Sequence, residues 1–557
     1  MEGANLTLPG LGHEVALDDY ANRSSFSASK VGRVIRALVS TDMSPDLIRQ
    51  RWLQAVATRT SAARPDIAST LIDVIGVEPV GEDHLKGLTI GEVGVCYEAL
   101  LALIDRDMRK SAGQYFTPDD AARFMASQSV EFGDGVWLDP CCGVGNLSWH
   151  LCSVQPDPGA FVRDRLSLID KDEIALKSAV AILSADWADN DDHEAVQKLR
   201  ARSIQRDFLG RSMLPEHDYV IVNPPYARTE ANPDFRTSAS KDLFAYFLEK
   251  VAISSKGFIA VTPASYLSVP KFQILRNVID EKFAGGEVFV FDNVPDTLFR
   301  GYKFGSNNTS KTNFVRAAIT VCSPRSANWL ITPIIRWSAN TRAIMFDECH
   351  RLLTPRRIGP HGEWVKITPG LEAVWDKLAN SKDTLADLAV DRETIWALDV
   401  GLTPRYYISA TRRNLDRSSK ATLYFATETD RDRAAVVLNS SVPYFWWRAL
   451  DGGVTLPRRV LMSTPIPQFE LSRETVEALW VSEAMNVVVK QNSGRMNENV
   501  KHSTELVSQL NTLTMSGASH LKLLYASSMF PLSDMMSPSL DDGGGRNGNY
   551  AGKGIGQ

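Results

Sequence analysis

Residues 220–228, VIVNPPYAR, end an apolar run with an amide, two prolines and an aromatic ring. The side-chain carbonyl of Asn223 can accept a hydrogen bond from an amino group, and the carbonyl of Pro224, held outward because another proline follows, can accept a second. Two such acceptors would turn the nitrogen lone pair of that amino group outward, toward an electrophile. Tyr226 offers a flat face on which a base could stack, a contact worth about 1–3 kcal/mol. Asn-Pro is also a turn signal, so this pattern alone leaves a catalytic site and a plain β-turn open.

A glycine-containing turn lies upstream, in residues 136–151, VWLDPCCGVGNLSWHL. Asp139 ends a predicted strand, and Gly143 and Gly145 permit a tight turn and the close approach of a ligand before an apolar helix begins. This pattern predicts a small-molecule site at the carboxyl end of the strand. A dinucleotide fingerprint is disfavoured, because Ser148 stands where its third glycine would be. The alternative is a strand-to-helix turn that binds nothing.

Two further acidic residues follow at the ends of the next predicted strands. Asp170 ends RLSLID, where a carboxylate is well placed to accept hydrogen bonds from ribose hydroxyls. Asp207, in QRDFL, comes at the end of the strand after that. Each acid alone is typical of a solvated strand end, but three acids at successive strand ends favour a binding site.

The elements that would position these residues follow from hydrophobic periodicity. Between residues 113 and 325, helix-length stretches separate six apolar runs, which are GVWLDP, RLSLIDKD, HDYVIVNPP, GFIAVTPAS, EVFVFDN and NFVRAAITVC. Strands that alternate with helices predict an α/β domain with a largely parallel sheet. Apolar residues at spacings of three and four in residues 30–64 and 89–110 predict a helical amino-terminal region.

The sequence thus predicts five segments. They are a helical region at 1–112, the α/β domain at 113–325, an α+β domain rich in Trp, Arg, Pro and Tyr at 326–470, a helical segment at 471–535, and a flexible Gly-rich tail at 536–557.

Composition sets the broad class of the protein. With 557 residues, 44% hydrophobic and 23% charged, the chain is typical of a globular multi-domain protein. It has no apolar run of about 18 residues and no signal-peptide pattern at its start, so we expect a cytoplasmic location and no membrane span. The net charge of -5 does not by itself indicate a nucleic-acid partner. Six scattered cysteines without a CxxC pair indicate reduced thiols and no zinc site.

Taken together, these motifs resemble the amino-group (N6-adenine) DNA methyltransferases of restriction–modification and related phage-defence systems. The similarity is to the subgroup whose cofactor motifs precede the Asn-Pro-Pro-Tyr motif, as in type I modification subunits, type IIG enzymes and TaqI-like enzymes. It covers residues 85–325, where GQYFTP, DPCCGVGN, Asp170, DF at 207–208, NPPY and TPASYL occur in the order of the family. It continues weakly over residues 436–467, which are similar to the end of a target recognition domain.

The resemblance implies a Rossmann-like domain that uses S-adenosyl-L-methionine, followed by a target recognition domain at 326–470. The residues expected to bind the cofactor are Tyr115, Phe116, Thr117, Asp139, Pro140, Gly143, Gly145, Asp170, Asp207 and Phe208. The catalytic motif would be Asn223, Pro224, Pro225 and Tyr226, with Tyr226 stacked on an extruded base. The family uses a second stacking aromatic, and an apparent insertion at 300–311 makes Phe299, Phe304 and Phe314 compete for that role. We favour Phe299.

The resemblance also implies a mechanism and partners. The target base must leave the duplex, because its amino group is inaccessible in the stack. Direct displacement then needs no metal and no thiol nucleophile, so Cys141 and Cys142 are interpreted as packing residues. Double-stranded DNA is the expected partner in a prokaryotic cytoplasm, and a separate restriction or defence subunit is compatible with this.

Target choice is assigned to the arginine pairs of the target recognition domain. The candidates for contacts with phosphate or guanine are Arg356, Arg357, Arg412, Arg413, Arg458 and Arg459. Taken singly, each of them is more typical of an ordinary exposed arginine. Trp446 and Trp447 are expected in the core rather than as a wedge in DNA.

Three alternatives remain beside DNA adenine methylation. A glutamine methyltransferase of a release factor also uses NPPY, but such chains are much shorter and lack a long reader domain. RNA adenine methylation and a non-catalytic DNA-binding subunit are the other two.

Overall fold

The computed structural model describes residues 28–40, 43–104, 117–293, 296–299, 315–338, 341–404, 407–492 and 495–515, together with two short paired strands, Leu6–Thr7 and Glu14–Val15. Tyr115, Phe116, Phe304 and Phe314 lie outside the described residues, as does the predicted tail at 536–557. Within the described residues, no helix has both the length and the apolar character that crossing a membrane requires.

Helices form most of the described part of the amino-terminal region. Its helices are α1 (Ala28–Leu38), α2 (Pro45–Ala63), α3 (Ala68–Ile75) and α4 (Ile90–Ile104). Ser44 begins α2 by accepting a hydrogen bond from the Leu47 amide, and Gly76 ends α3 in the left-handed conformation that favours glycine. Trp52 of α2 is buried and donates its indole N–H to Ser178 Oγ at 3.0 Å, which attaches this region to the α/β domain.

A nine-stranded sheet forms the centre of the α/β domain. Its strands are β1 (Trp137–Asp139), β2 (Leu166–Asp170), β3 (Ser203–Gln205), β4 (Tyr219–Val222), β5 (Gly257–Pro263), β6 (Gly286–Phe291), β7 (Ala317–Cys322), β8 (Trp329–Ile335) and β9 (Thr354–Pro355). The spatial order is β9-β8-β6-β7-β5-β4-β1-β2-β3. Neighbouring strands run parallel except where β7 meets β5 and β6 and where β9 meets β8. This mostly parallel order confirms the predicted Rossmann-like α/β fold.

Helices cover both faces of the sheet. They are α5 (Asp119–Ser127), α6 (Asn146–Ser153), α7 (Pro158–Asp164), α8 (Glu173–Trp187), α9 (His193–Ala201), α10 (Leu243–Ser254), α11 (Gln273–Lys282) and α12 (Arg342–Glu348). Alternate residues of a strand point to opposite faces. Ile221 and Ile259 therefore join the core that includes α8, whereas Val222 and Phe258 join the core that includes α10 and α11. Burial on both faces explains why these strands read as continuous apolar runs.

The predicted target recognition domain contains both strands and helices. Its strands are β10 (Arg357–Ile358), β11 (Trp364–Val365), β12 (Asp383–Thr384), β13 (Ala389–Val390), β14 (Ala397–Gly401), β15 (Ala410–Thr411), β16 (Lys420–Phe425) and β17 (Pro465–Ile466). Its helices are α13 (Glu372–Ala379), α14 (Leu385–Leu388), α15 (Glu428–Leu438), α16 (Val442–Leu450) and α17 (Arg458–Met462). Trp446 and Trp447 are buried in its core, as expected, and Trp446 stacks on Trp375 with ring centroids 4.5 Å apart.

Two boundaries differ from the sequence pattern. Strands β8 and β9 follow residue 325 and nevertheless extend the central sheet, because β8 pairs in parallel with β6. The segment predicted as helical at 471–535 contains α18 (Arg473–Met485) and α19 (Thr504–Met515), but also a hairpin of β18 (Val487–Asn492) with β19 (Arg495–Val500). Apolar residues of α19 pack into the core of the target recognition domain, so the two segments share one core.

Candidate active site

A cleft opens at the carboxyl ends of β1, β2 and β4. The strand order reverses between β1 and β4, and such a switch point is where open α/β sheets bind ligands. The residues predicted for cofactor or substrate binding that line the cleft are Thr117, Asp139, Pro140, Gly143, Asp170, Asp207, Phe208, Asn223 and Pro225. Motifs more than a hundred residues apart in the chain are therefore neighbours at this edge of the sheet.

The turn between β1 and α6 contains the two predicted glycines. Gly143 has φ +55°, and a Cβ built there would meet no atom within 4 Å, so the backbone faces the open cleft. Gly145 has φ +93° and plays a different part, since a Cβ there would lie 3.2 Å from the Cβ of Ala179. The first glycine thus leaves room for a ligand, and the second allows α6 to pack closely on α8.

Asp170 ties this turn to the end of β2. One carboxylate oxygen accepts the Gly143 amide at 2.8 Å and the other accepts the Asp172 amide at 2.9 Å. Burial raises the pKa of Asp170 despite these two bonds. The carboxylate is therefore held in a fixed orientation at the cleft wall, as a ribose-binding acid would have to be.

Asp139 is more deeply enclosed and is 1% exposed. Its oxygens accept hydrogen bonds from Ser148 Oγ at 2.9 Å and from the Cys141 amide at 3.4 Å. Burial raises its pKa to about 7, with a smaller contribution from the neighbouring Asp170. Two buried acids at one cleft suit a ligand that carries positive charge and hydroxyl donors, and S-adenosyl-L-methionine has both.

Asn223 lines the same cleft, and a hydrogen bond to Thr117 orients its side-chain amide. The side-chain nitrogen of Asn223 donates to Thr117 Oγ1 at 2.9 Å. The backbone carbonyl of Thr117 accepts a hydrogen bond from the side-chain nitrogen of Asn146 at 2.8 Å. The backbone carbonyl of Asn223 accepts the thiol of Cys141 at 3.2 Å. Thr117, which the sequence predicted as a cofactor contact, therefore also fixes the side-chain amide of Asn223.

Tyr226 lines the adjacent cleft rather than this one, and Pro224 is buried. The Tyr226 hydroxyl donates to the Val261 carbonyl at 2.8 Å, which fixes the ring. Phe299 meets that ring edge-on, with centroids 5.6 Å apart and an angle of 72° between the planes. Of the three competing aromatics, Phe299 is the one within the described residues, and it lies against Tyr226.

Asp207 and Phe208 complete the wall beyond β3. Asp207 Oδ1 accepts the Leu209 amide at 2.9 Å, which shapes the turn after the strand. Phe208 is 2% exposed and packs against Phe247, with ring centroids 5.1 Å apart. Asp207 and Phe208 therefore line the cleft beyond β3, whereas Asn223 lines it after β4, and β1 and β2 lie between them in the sheet.

The cysteines beside Asp139 are not suited to nucleophilic catalysis. Burial raises the pKa of both Cys141 and Cys142 well above the usual thiol range. A catalytic cysteine needs the opposite, a thiolate stabilised by nearby positive charge. Their interpretation as packing residues is consistent with this environment.

Residues of α4 also line the cleft, and the sequence did not predict them. They are Gly94, Tyr97, Glu98 and Leu101. The Tyr97 hydroxyl donates to Asp172 Oδ2 at 2.5 Å, and burial raises the pKa of that phenol. The only signal was local: a Tyr-Glu pair interrupts a helix that is otherwise almost wholly apolar.

The predicted DNA contacts are not gathered at the cleft, and five of the six have carboxylate partners within the chain. Arg356 pairs with Asp280, Arg357 with Asp376, Arg412 with Glu483, Arg413 with Glu498, and Arg459 with Glu363 and Asp451. Arg356 is also enclosed by the rings of Trp329 and Trp364. Arg458 is exposed at the start of α17. Their role in DNA binding remains a prediction, and for Arg356 the packing gives a sufficient structural reason.

Comparison with known families bears directly on this site. Residues 89–246 match the model of the N-6 DNA Methylase family. The matched range contains the glycine turn, the three acids and the NPPY motif, and it begins with α4. The match confirms the predicted resemblance to N-6 DNA methylases for this part of the chain. A comparison with curated proteins found no significant match.

Solved structures of low sequence identity are also similar to this chain. The DrdV–DNA complex, determined by electron cryomicroscopy, has 14% identity and a TM-score of 0.43, covering 84% of this chain and 54% of that one. The type I restriction–modification methyltransferase subunit from Streptococcus thermophilus has 16% identity and a TM-score of 0.32, with coverage of 57% and 75%. The type IIG restriction endonuclease BpuSI has 11% identity and a TM-score of 0.35, with coverage of 91% and 69%. This chain spans about half the length of the protein in the DrdV complex.

Proposed function

We propose that this protein transfers the methyl group of S-adenosyl-L-methionine to the N6 amine of an adenine extruded from a specific DNA sequence. The observation that carries the proposal is the shared cleft, in which the Asn223 amide lies beside the buried acids Asp139 and Asp170. The family match over residues 89–246 supports the same activity. In this role the protein would be the modification component of a restriction or phage-defence system, as several structurally similar proteins are named.

The cofactor would be held by residues of three strand ends. Asp170 would accept hydrogen bonds from the ribose hydroxyls, Asp207 from the adenine amine, and the turn at Gly143 would leave room for the methionine part. The negative field of Asp139 and Asp170 would favour the cationic sulfonium. When bound, the cofactor supplies an electrophilic methyl carbon.

The NPPY motif would orient the target amine. The side-chain carbonyl of Asn223 and the backbone carbonyl of Pro224 would each accept one N–H, and Tyr226 would stack on the base. Thr117 keeps the Asn223 amide in one orientation, since the amide nitrogen donates to its hydroxyl. Most of the acceleration would come from this placement and from fixed dipoles rather than from a strong base.

A competition assay tests the acceptor. Purified protein would be incubated with tritiated S-adenosyl-L-methionine and equal masses of DNA, RNA and a bacterial release factor, and the label in each acceptor would be counted. We expect label in DNA, recovered as N6-methyladenine after nuclease digestion. Label in RNA or in the release factor would replace this proposal with one of the two enzymatic alternatives, and no label despite cofactor binding would favour a non-catalytic subunit.

A further inference from the structure

A second cleft, which we call the basic cleft, adjoins the candidate active site at Tyr226 and lies between the α/β domain and the target recognition domain. The cationic side chains that line it are Arg228, Lys271, Arg316 and Lys366, and the anionic ones are Asp242 and Asp451. No step of the proposed mechanism uses these groups.

The carboxylates of the basic cleft are already engaged. Asp242 forms an ion pair with Lys271, and Asp451 lies 3.6 Å from the guanidinium of Arg459, which is outside the cleft lining. Lys366 contributes little charge, because burial lowers its pKa to about 7. Its amino group donates to Ser268 Oγ and to the Leu450 carbonyl, which joins the two domains. Of the lining cations, Arg228 and Arg316 are not paired with a carboxylate of the lining.

Arg316 belongs to a buried charge cluster with an excess of arginine. Its Nε lies 2.8 Å from Asp292 Oδ1, while Arg336 Nε and a terminal nitrogen of Arg448 lie 2.7 and 3.4 Å from Asp292 Oδ2. Burial alone would raise the pKa of Asp292, but the three arginines hold it at about 2, so the carboxylate is charged. Among the described residues, three arginines therefore share one aspartate, and these side chains are at most 15% exposed. A buried cluster of this kind favours an anionic ligand.

We propose that the basic cleft binds a backbone phosphodiester of the DNA strand that carries the target base, with Arg316 and Arg228 as its direct contacts. A guanidinium presents several donors in a planar fork that matches phosphate oxygens. Arg336 and Arg448 add charge from behind Arg316. Because Tyr226 of the NPPY motif lines the basic cleft, a phosphate bound there lies beside the nucleotide that stacks on Tyr226 and helps to hold it there. This inference rests on the proposed function, since DNA supplies the phosphate.

Salt-dependent binding tests the inference. A fluorescein-labelled single-stranded oligonucleotide of mixed sequence, and its duplex, would be titrated with the full-length protein at several salt concentrations, with fluorescence anisotropy as the readout. Losing one phosphate contact should reduce the slope of log K against log salt by about one. We expect this reduction for Arg316→Gln and for Arg228→Gln, while Arg316→Lys keeps most of the wild-type slope.

Arg165→Gln is the matched control. Like Arg316, Arg165 directly precedes a sheet strand and pairs with an aspartate, but it lies at the amino end of a parallel strand and thus at the opposite edge of the sheet. For Arg165→Gln, the slope of log K against log salt should equal that of the wild-type protein. Arg228 is exposed, so Arg228→Gln keeps the test decisive even if Arg316→Gln unfolds.

Two results would overturn the inference, and they are distinguishable. If the wild-type protein methylates DNA but Arg228→Gln and a folded Arg316→Gln keep its salt slope, the basic cleft does not bind phosphate and the proposed function stands. If the wild-type protein neither binds nor methylates DNA, both proposals fail.

Discussion

The amide nitrogen of Asn223 donates a hydrogen bond to Thr117 Oγ1 at 2.9 Å, across 106 positions of the chain. Thr117 lies two residues before α5, and Asn223 immediately follows β4, so the contact joins the start of the α/β domain to the NPPY motif. An amide side chain can rotate to exchange its donor and acceptor ends, and this bond selects one orientation. The Asn223 amide is thus positioned by a residue that belongs to a different motif.

Asn223→Ala should remove most of the turnover while leaving the cofactor site intact. The substitution removes one of the two acceptors of the target amine, and losing such a group typically lowers kcat by roughly 10²–10³-fold. We expect the Kd for S-adenosylhomocysteine, measured by calorimetry, to stay within a few-fold of wild type. Asn380→Ala, at the exposed end of α13, is the control. Methylation retained by Asn223→Ala would contradict the assigned role.

Thr117→Val should lower kcat more than it affects cofactor binding. Valine keeps the shape of the buried side chain but cannot accept the Asn223 amide, and a misplaced catalytic group can cost about 10²-fold in rate. Thr117→Ser, which keeps the hydroxyl, should restore most of the activity. Steady-state methylation kinetics separate the two variants, and equal kcat values for valine and threonine would show that the bond has no catalytic role.

Tyr97→Phe tests whether α4 belongs to the cofactor cleft. It removes the hydrogen bond to Asp172, and bonds to charged groups contribute about 1.5–3 kcal/mol to the free energy of unfolding. We expect a loss of that size in urea denaturation, together with weaker binding of S-adenosylhomocysteine. Tyr246→Phe, which removes a bond to the Ser238 carbonyl, should lower stability without changing cofactor affinity. Unchanged affinity in Tyr97→Phe would exclude α4 from the cofactor site.

Asp139 should make the stability of the protein without cofactor depend on pH. Its pKa is about 7 in the folded protein, against an ordinary value of 3.8. Between these values the folded chain keeps a proton that the unfolded chain has lost, so stability falls as pH rises, by about 1.4 kcal/mol per pH unit. Asp139→Asn cannot ionise and removes this contribution. The unfolding free energy of the variant relative to wild type should therefore rise by roughly 2–3 kcal/mol between about pH 5 and about pH 7.5, and a difference independent of pH would contradict the burial argument.

Phe299→Leu should weaken catalysis with little loss of stability. Arg342, paired with Asp120, donates to the Thr297 and Leu298 carbonyls, both at 2.9 Å, and so holds Phe299 against Tyr226. Leucine fills similar space and should cost less than about 1.5 kcal/mol of stability, but it lacks the ring face. The lost stacking predicts a decrease in kcat/KM of roughly tenfold, and Phe299→Tyr should recover it. An unchanged kcat/KM in Phe299→Leu would assign the second stack to another aromatic.

Much of the α/β domain could be predicted from the sequence, because its signals are local. A strand buried on both faces must be apolar along its whole length, and a turn with positive φ favours glycine, as at Gly143 and Gly145. The polar residues after the strands then fall at one edge of a parallel sheet. For these reasons the acids and the NPPY motif could be assigned to one site before any contact was known.

Other features depended on partners that no local pattern specifies. Arg356 looked like a DNA contact in the sequence, yet Asp280 and two tryptophans enclose it. Tyr97 looked like part of an apolar helix, yet it bonds to Asp172 in the cleft. Strand β8 lies beyond the predicted domain boundary, yet it pairs with β6.

The sequence by itself determined the class of fold, the order of the motifs and the edge of the sheet at which the candidate site lies, because backbone conformation and strand burial are set within a few residues. Only the tertiary structure decided which arginines are paired, that α4 lines the cleft, and that Thr117 orients Asn223. Those outcomes are contacts between segments tens to hundreds of positions apart, and they are fixed by packing in three dimensions.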